Sequence, residues 1–407
     1  MIDLRAARAD PDAMRAALAR KGAGEAFDRL MDADSRWREL VPQVDELRSR
    51  TKLKGKPTDE QRAELQRVKA ELKEAEDALA AAERERDAAL LEVPNPPDDD
   101  VPDGDSEDDA VELRRVGEPR QGEAKEAAEI GRFELERAAR LSGSRFGYLV
   151  GDTALLALAL YRFAIDHVSR AGFTPVLPPV LVREEAMVGT GFFPTERSNI
   201  YGLEGEGLYL TGTSEVALAG MHMGEILEDD VLPIRYAGFS TCFRREAGAA
   251  GKDTRGIMRV HQFDKVEMVL FERPEDSAAA LEWMTERAEI LLQRLGLAYR
   301  VLLMSTREMG FTQARKYDLE VWSPGVERWL EVSSCSNFRD FQARRMAIRY
   351  RPEPGAKPEL VHTLNGSGLA LARVVAALLE TYQRPDGSIE VPGVLRPYLG
   401  RDEIARD

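Results

Sequence analysis

The chain has 407 residues, 32% of them charged, and a formal net charge of −15. That length allows two or more domains with full cores, and the acidic balance excludes casual nucleic-acid binding, leaving any such partner to a local basic patch. Two cysteines, four scattered histidines and no apolar run of about 18 residues exclude a disulfide framework, zinc-ligand spacing and a membrane span. The N-terminus is amphipathic but has neither the apolar core nor the cleavage site of a signal peptide, so the expected location is cytoplasmic, with no membrane or DNA partner.

Residues 1–27 read as a short helix opening at Asp10-Pro11 and closing near Gly22 and Gly24. A second helical pattern, Asp28 to Ser49, places Trp37, Leu40, Val44 and Leu47 at spacings of three and four, with Pro42 expected to kink or restart it. After a turn signal at Gly55-Lys56-Pro57, Leu65, Val68, Leu72, Ala75, Leu79 and Ala82 form a heptad seam with charged outer faces, as in an antiparallel two-helix coiled coil. Periodicity alone would fit a plain dimerisation hairpin. The tip, however, carries Arg48, Arg50, Lys52, Lys54 and Lys56 with no acidic residue from Leu47 to Thr58, a place for an acidic protein to meet phosphates.

A Pro-rich stop at residues 93–97 leads into Asp98–Asp109, where eight of twelve residues are acidic, a linker by composition. From Gly131 onward helices alternate with β-rich runs. Asp152-Thr153 should cap a helix over Ala154–Ala171, and Phe173–Val182, with three prolines, should be an edge or interface strand. Thr211–Glu215 reads TGTSE after the apolar pair Leu208–Leu210, a capped turn by composition. Thr241–Glu267 reads TCFRREAGAAGKDTRGIMRVHQFDKVE, where two β-prone runs flank a loop rich in Gly, Ala and charge, the pattern of a long antiparallel hairpin. Strand alternation would put Arg244 and Glu246 on one face and Phe243 and Arg245 on the other. An arginine there can clamp phosphate in bidentate fashion, although FRRE alone fits a solvated hairpin better. Glu320–Asn337 reads as a strand pair turning at Ser323-Pro324-Gly325, with Glu331, Ser333 and Ser334 alternating with apolar neighbours. Leu364–Arg373, LNGSGLALAR, runs into a helix over Leu369–Tyr382, with glycines placed to bring an anion onto free N–H groups.

In order, these stretches resemble motifs 1, 2 and 3 of class II aminoacyl-tRNA synthetases. The long-loop hairpin, TGTSE, EVSS and the terminal VLRPYLGRDEI resemble those of bacterial-type seryl-tRNA synthetases. The resemblance implies an α+β protein: a tRNA-binding domain over 1–97 with an antiparallel two-helix coiled-coil arm at about 28–92, an acidic linker and connector over 98–130, and a class II catalytic domain over 131–407. In that family the catalytic sheet is antiparallel, six- or seven-stranded, flanked by helices, and dimeric. The implied activity is serine–tRNA ligation: ATP and L-serine give seryl-adenylate, and serine passes to tRNA(Ser), and to tRNA(Sec) where present.

By the same resemblance Arg244 and Arg373 carry catalysis, on the α- and γ-phosphates. Thr213, Ser214, Glu215, Glu267 and Ser367 bind serine. ATP is bound by Arg244, Arg245, Glu246, Val260, Phe263, Glu331, Val332, Ser333, Ser334 and Arg373, and Mg2+ by Glu331 and Ser334, oxygen ligands suited to a hard cation. Arg48, Arg50, Lys52, Lys54 and Lys56 meet tRNA. Two features depart from the family: Arg307-Glu308 stands where many relatives have Gly-Asp, and the arm tip is short. The rivals are a paralogue serving a special pathway, a ligase acting on a carrier protein, and a non-catalytic tRNA-binding coiled-coil protein.

Overall fold

The computed structural model describes residues 1–52, 58–247 and 257–405, and the chain divides into two compact units, Met1–Pro97 and Asp98–Asp407. The first is helical. The helix expected to open at Asp10-Pro11 is α2 (Pro11–Arg20), where Asp10 accepts from Ala13 N as N-cap and Pro11 fits the first turn, and a further short helix, α1 (Leu4–Ala9), precedes it. Two long helices follow, α3 (Gly24–Arg50) and α4 (Asp59–Glu92), the latter opened by a capping box between Thr58 and Gln61. They pack antiparallel, burying Val44 and Val68 in the seam. The ion pairs Arg36–Glu85, Arg48–Glu76 and Arg50–Glu64 cross between them. Pro42 lies inside α3 without restarting it; packing against α4 outweighs one lost backbone hydrogen bond. At the base, Asp34 is buried and takes a bidentate contact from Arg8, which locks α1 to α3. The turn signal at residues 55–57 lies outside the described residues.

The second unit is built on one eight-stranded sheet. Its strands are β1 (Val111–Val116), β2 (Thr174–Val176), β3 (Ile234–Phe243), β4 (Gln262–Glu272), β5 (Tyr299–Leu303), β6 (Arg315–Ser323), β7 (Arg328–Arg339) and β8 (His362–Ala370). Their order is β1-β5-β6-β7-β8-β4-β3-β2, antiparallel throughout except for the edge pair β2–β3. Three helices cover one face: α5 (Asp152–Arg170), α7 (Ser277–Arg294) and α9 (Leu371–Tyr382). Two shorter helices, α6 (Glu215–Ala219) and α8 (Phe341–Met346), lie between them in sequence. Leu160, Phe163, Met284, Leu291, Val375 and Leu378 fill that core against Val266 and Met268 of β4, each such side chain contributing about 1.5–3 kcal/mol when fully buried.

Several elements depart from the sequence expectation. The sheet has eight strands rather than six or seven. One addition comes from the stretch read as linker: Val111–Val116 pairs with β5, and Val101 is buried against Leu302, Met304 and Met309. Residues 98–116 are therefore part of the second unit, and their charge marks an outer surface rather than a free tether. The segment Phe173–Val182 holds two separate short strands, β2 and Leu181–Arg183. Asp152 begins α5 rather than capping it, and its carboxylate is held by Arg401. Gly366 and Gly368 lie within β8, not before a helix. A Cβ at Gly366 would stand 2.9 Å from Cys335 Sγ, and Gly368 is the extra residue of a bulge opposite Val266 and Glu267.

Candidate active site

Alternation along β4 separates core from site: Val266 and Met268 face the helices, whereas Phe263 and Lys265 line a cleft of about 600 Å3. Arginines and lysines converge on it from four elements. Arg244 follows β3, its Nε 3.2 Å from Gly212 O and its guanidinium 5.2 Å over the Phe263 ring. Arg373, in the first turn of α9, reaches Met258 O at 3.2 Å and Glu331 O at 2.7 Å. Arg244 thus rests on a neutral carbonyl, a weaker partner than an anion, whereas Arg373 adds a 3.8 Å ion pair with Glu331 to its two carbonyl contacts. Lys265 is buried and pairs with Glu267. Lys316 of β6 pairs with Asp318 at 2.8 Å; burial opposes its charge, but Asp318 and Glu331 hold its pKa above the usual lysine value.

Glu331 is half exposed on the cleft wall. Burial works against its charge, yet Lys316, Arg373, Arg244 and Lys265 hold its carboxyl below the ordinary carboxylate range. Ser334, three residues on, faces the same cleft, which simple alternation forbids. The reason is a bulge in β7: Leu319 pairs with Ser333 and Glu320 with Glu331, so Val332 is inserted and the phase shifts. Ser333 consequently turns away and donates to Ser367 O at 2.5 Å.

At the other end sit buried carboxylates. Glu215 opens α6, accepts from Gln342 Nε2 and Asn365 Nδ2 at 2.7 Å each, and is pushed up to about 7 by burial and by the charge of Glu267. Glu267 is fully buried and accepts from Thr213 at 3.2 Å and from Asn365 at 2.9 Å. Among the described residues Asn365 Oδ1 is buried without a hydrogen-bond partner, at a position where a bound polar group could supply one.

Of the residues singled out in the sequence, Thr213, Glu215, Arg244, Glu246, Val260, Phe263, Glu331, Val332, Ser334, Ser367 and Arg373 line one cleft. Glu267 lies directly behind Thr213 and Lys265. Ser214, Arg245 and Ser333 do not line it. Ser214 points at Gly238, where a Cβ would lie 3.0 Å from its Oγ. Arg245 sits over Tyr201, 5.8 Å from the ring centre. The strand that should set their alternation ends at Phe243, and Glu246 adopts a left-handed φ of 50° that turns it back to an ion pair with Arg259 at 2.5 Å. The return strand likewise starts at Gln262 rather than Ile257. Residues 248–256 of the expected hairpin loop lie outside the described residues. Lys265, Asn365, Lys316 and Asp318 were not singled out. Lys265 shares strand phase with Phe263 and Glu267 on β4, a signal the sequence carries, whereas Asn365 lies in a stretch whose glycines pointed to a helix start rather than to β8.

In the first unit, Arg48 and Arg50 at the end of α3 are engaged by Glu76 and Glu64 at 2.9 and 3.2 Å, and Lys52 is exposed. Lys54 and Lys56 lie outside the described residues.

Comparison with known proteins matches both units. Residues 1–97 match the family model for the seryl-tRNA synthetase N-terminal domain, and residues 201–382 match that for the tRNA synthetase class II core domain (G, H, P, S and T). The chain is 46% identical to the serine–tRNA ligase of Symbiobacterium thermophilum over 422 residues, covering all of both chains. It is also 46% identical to that of Bacillus subtilis over 433 residues, again covering all of both. The crystal structure of seryl-tRNA synthetase from Pyrococcus horikoshii complexed with ATP superposes with a TM-score of 0.94 at 38% identity, with 100% of each chain covered.

Proposed function

The chain belongs to the seryl-tRNA synthetase family; taking its serine–tRNA ligase activity as the premise, we propose how the cleft performs it. One observation carries the assignment: carboxylates buried at one end of a single cleft adjoin Arg244, Lys265, Lys316 and Arg373. The acidic end suits an ammonium and the cationic end suits phosphates.

L-serine enters with its ammonium toward Glu215, backed by Glu267, and its hydroxyl within reach of Thr213, Asn365 and Ser367. Asn365 Oδ1, without a hydrogen-bond partner among the described residues, gains a donor. ATP lies with its adenine against Phe263, between Val260 and Val332, and with its amino group toward Glu246. Arg244 leaves Gly212 O for the α-phosphate, and Arg373 leaves its two carbonyls for the γ-phosphate. The serine carboxylate oxygen attacks the α-phosphorus in line, the bond to the bridging oxygen breaks, and pyrophosphate departs. The attacking carboxylate is already ionised, so the step needs alignment and charge stabilisation rather than a base. The 3′-terminal adenosine of tRNA then takes the seryl group and AMP leaves.

Magnesium fits Glu331 and Ser334: one ionised carboxylate and one hydroxyl, both hard oxygens on the cleft wall, match an ion that fills its remaining positions with phosphate and water. When bound, it neutralises phosphate charge.

The arm of the first unit is the proposed contact for tRNA(Ser), through phosphates and shape, and for tRNA(Sec) where a cell has it. Homodimerisation is supported by exposed apolar side chains near the motif 1 resemblance: Leu155 and Leu158 on α5, and Leu177, 83% exposed, just past β2. No described helix is long and apolar enough to cross a membrane, and both cysteines are free and buried, which supports a reducing, cytoplasmic setting. The test is charging of tRNA(Ser) with labelled serine. It should require ATP and tRNA, and loss of the ATP requirement would overturn the reading.

A further inference from the structure

Arg373 enters the cleft from the first turn of α9, where Val374 and Val375 pack into the core, and it meets two carbonyls and, at 3.8 Å, the Glu331 carboxylate. A second polar anchor of the helix lies seven residues further on. Glu380 is fully buried, and seven residues make about two turns, so it shares a helix face with Arg373. Its Oε1 accepts from Ala127 N at 2.9 Å; its Oε2 accepts from Ser323 Oγ and from Gly325 N at 3.1 Å. Ser323 and Gly325 form the turn between β6 and β7. The approach is close: a Cβ at Gly325 would stand 2.8 Å from the Glu380 carboxyl carbon. Just beyond, Arg120 Nη1 donates to the carbonyls of Glu380, Thr381 and Gln383 at 3.1, 2.7 and 2.9 Å, closing the end of α9. The helix therefore meets the β6–β7 hairpin at two levels, through Glu380 at the turn and through Arg373 at Glu331 O.

We propose that Glu380 is a positioning residue for ATP: by holding α9 to the β6–β7 turn it keeps Arg373 in register with Glu331. This rests on the reading of Arg373 as the γ-phosphate ligand. A carboxylate suits the task because all three groups around it are donors, and it accepts from each. Glu380→Gln keeps the shape but turns an amide NH2 toward one of them, leaving a buried donor facing a donor.

The readouts are steady-state pyrophosphate exchange and single-turnover transfer from preformed seryl-adenylate to tRNA, compared across Glu380→Gln, Arg373→Ala, the double variant and the gentler Ser323→Ala. Displacing a phosphate ligand by an ångström costs up to about a hundredfold, so Glu380→Gln should lose about ten- to a hundredfold in exchange kcat/KM for ATP. The serine KM should stay unchanged, and transfer should be spared because pyrophosphate has already left. Arg373→Ala should show the same pattern more strongly, the double variant should be no worse than Arg373→Ala, and Ser323→Ala should show a smaller version. Equal losses in serine KM, transfer and exchange for Glu380→Gln, or a full extra factor in the double variant, would overturn the inference. An ATP-selective loss in Arg373→Ala but none in Glu380→Gln or Ser323→Ala would overturn it while sparing the reading of Arg373. No ATP-selective loss in Arg373→Ala would overturn both.

Discussion

Asn365 Nδ2 stands 2.7 Å from Glu215 Oε2, and the same nitrogen lies 2.9 Å from Glu267, so a single amide holds two buried carboxylates together. Asn365→Asp would put a third carboxyl where that donor is. A hydrogen bond to a charged group is worth about 1.5–3 kcal/mol, so the serine KM should rise by about ten- to a hundredfold or more while the ATP KM holds. Exchange kinetics with each substrate varied in turn check this, and an unchanged serine KM would place Asn365 outside the amino-acid site.

Glu215 brings a pH dependence with it. Burial and Glu267 push it up to about 7, and an ammonium binds its ionised form, so serine affinity is full above that value and is lost as pH falls through it. Apparent affinity scales with the competent fraction, which predicts a serine KM lower by roughly tenfold at pH 8 than at pH 6, with a flat ATP KM. Glu215→Gln should weaken serine binding and abolish the slope. A KM profile over that range decides it, and a slope surviving in Glu215→Gln would assign the titration elsewhere.

The neighbouring arginines should separate sharply. Arg244 lines the cleft, whereas Arg245 packs over Tyr201. Losing a preorganised donor to developing phosphate charge costs about 3–4 kcal/mol, so Arg244→Ala should cut exchange several-hundredfold, and Arg244→Lys should be poor for want of the bidentate fork. Arg245→Ala should stay within a few-fold of the parent. Equal losses would mean that the cleft has been assigned to the wrong side of the hairpin.

The arm can be tested without disturbing the cleft. Replacing Arg50 and Lys52 with alanine removes two cations from the tip. If both meet phosphates, the tRNA KM should rise and the slope of log affinity against log salt should become shallower by about 1.5, while serine-dependent exchange stays at the parental rate. An unaltered salt slope would remove the tip from the tRNA contact.

Much of the fold could be read from sequence where local rules and packing agree. The heptad seam on α4 became the buried side of a long hairpin, and the Glu320–Asn337 pair turned where Ser323-Pro324-Gly325 said it should. Failures cluster where pairing with distant strands overrides local pattern. The acidic surroundings of Val111–Val116 hid a strand whose partner, Tyr299–Leu303, lies nearly two hundred residues away. The glycines of LNGSG looked like a helix start but serve close strand packing, Gly366 against Cys335 and Gly368 against Val266. A strict period of two could not foresee that a bulge at Val332 would bring Ser334 to the cleft and send Ser333 away, because a bulge is a property of two strands together. The departure at Arg307-Glu308 has a local account: Arg307 pairs with Asp105 at 3.1 Å, and Glu308 lines the cleft with Glu107.

The central claim is that one cleft activates serine on ATP. It is tested most directly by exchange of labelled pyrophosphate into ATP without tRNA, with serine, alanine or threonine as the amino acid. A pocket built to hydrogen-bond the substrate hydroxyl discriminates against its absence by about ten-thousandfold or more. The account predicts rapid exchange with serine, and exchange with alanine down by a factor of that order. No serine-dependent exchange, or comparable exchange with alanine, would contradict it.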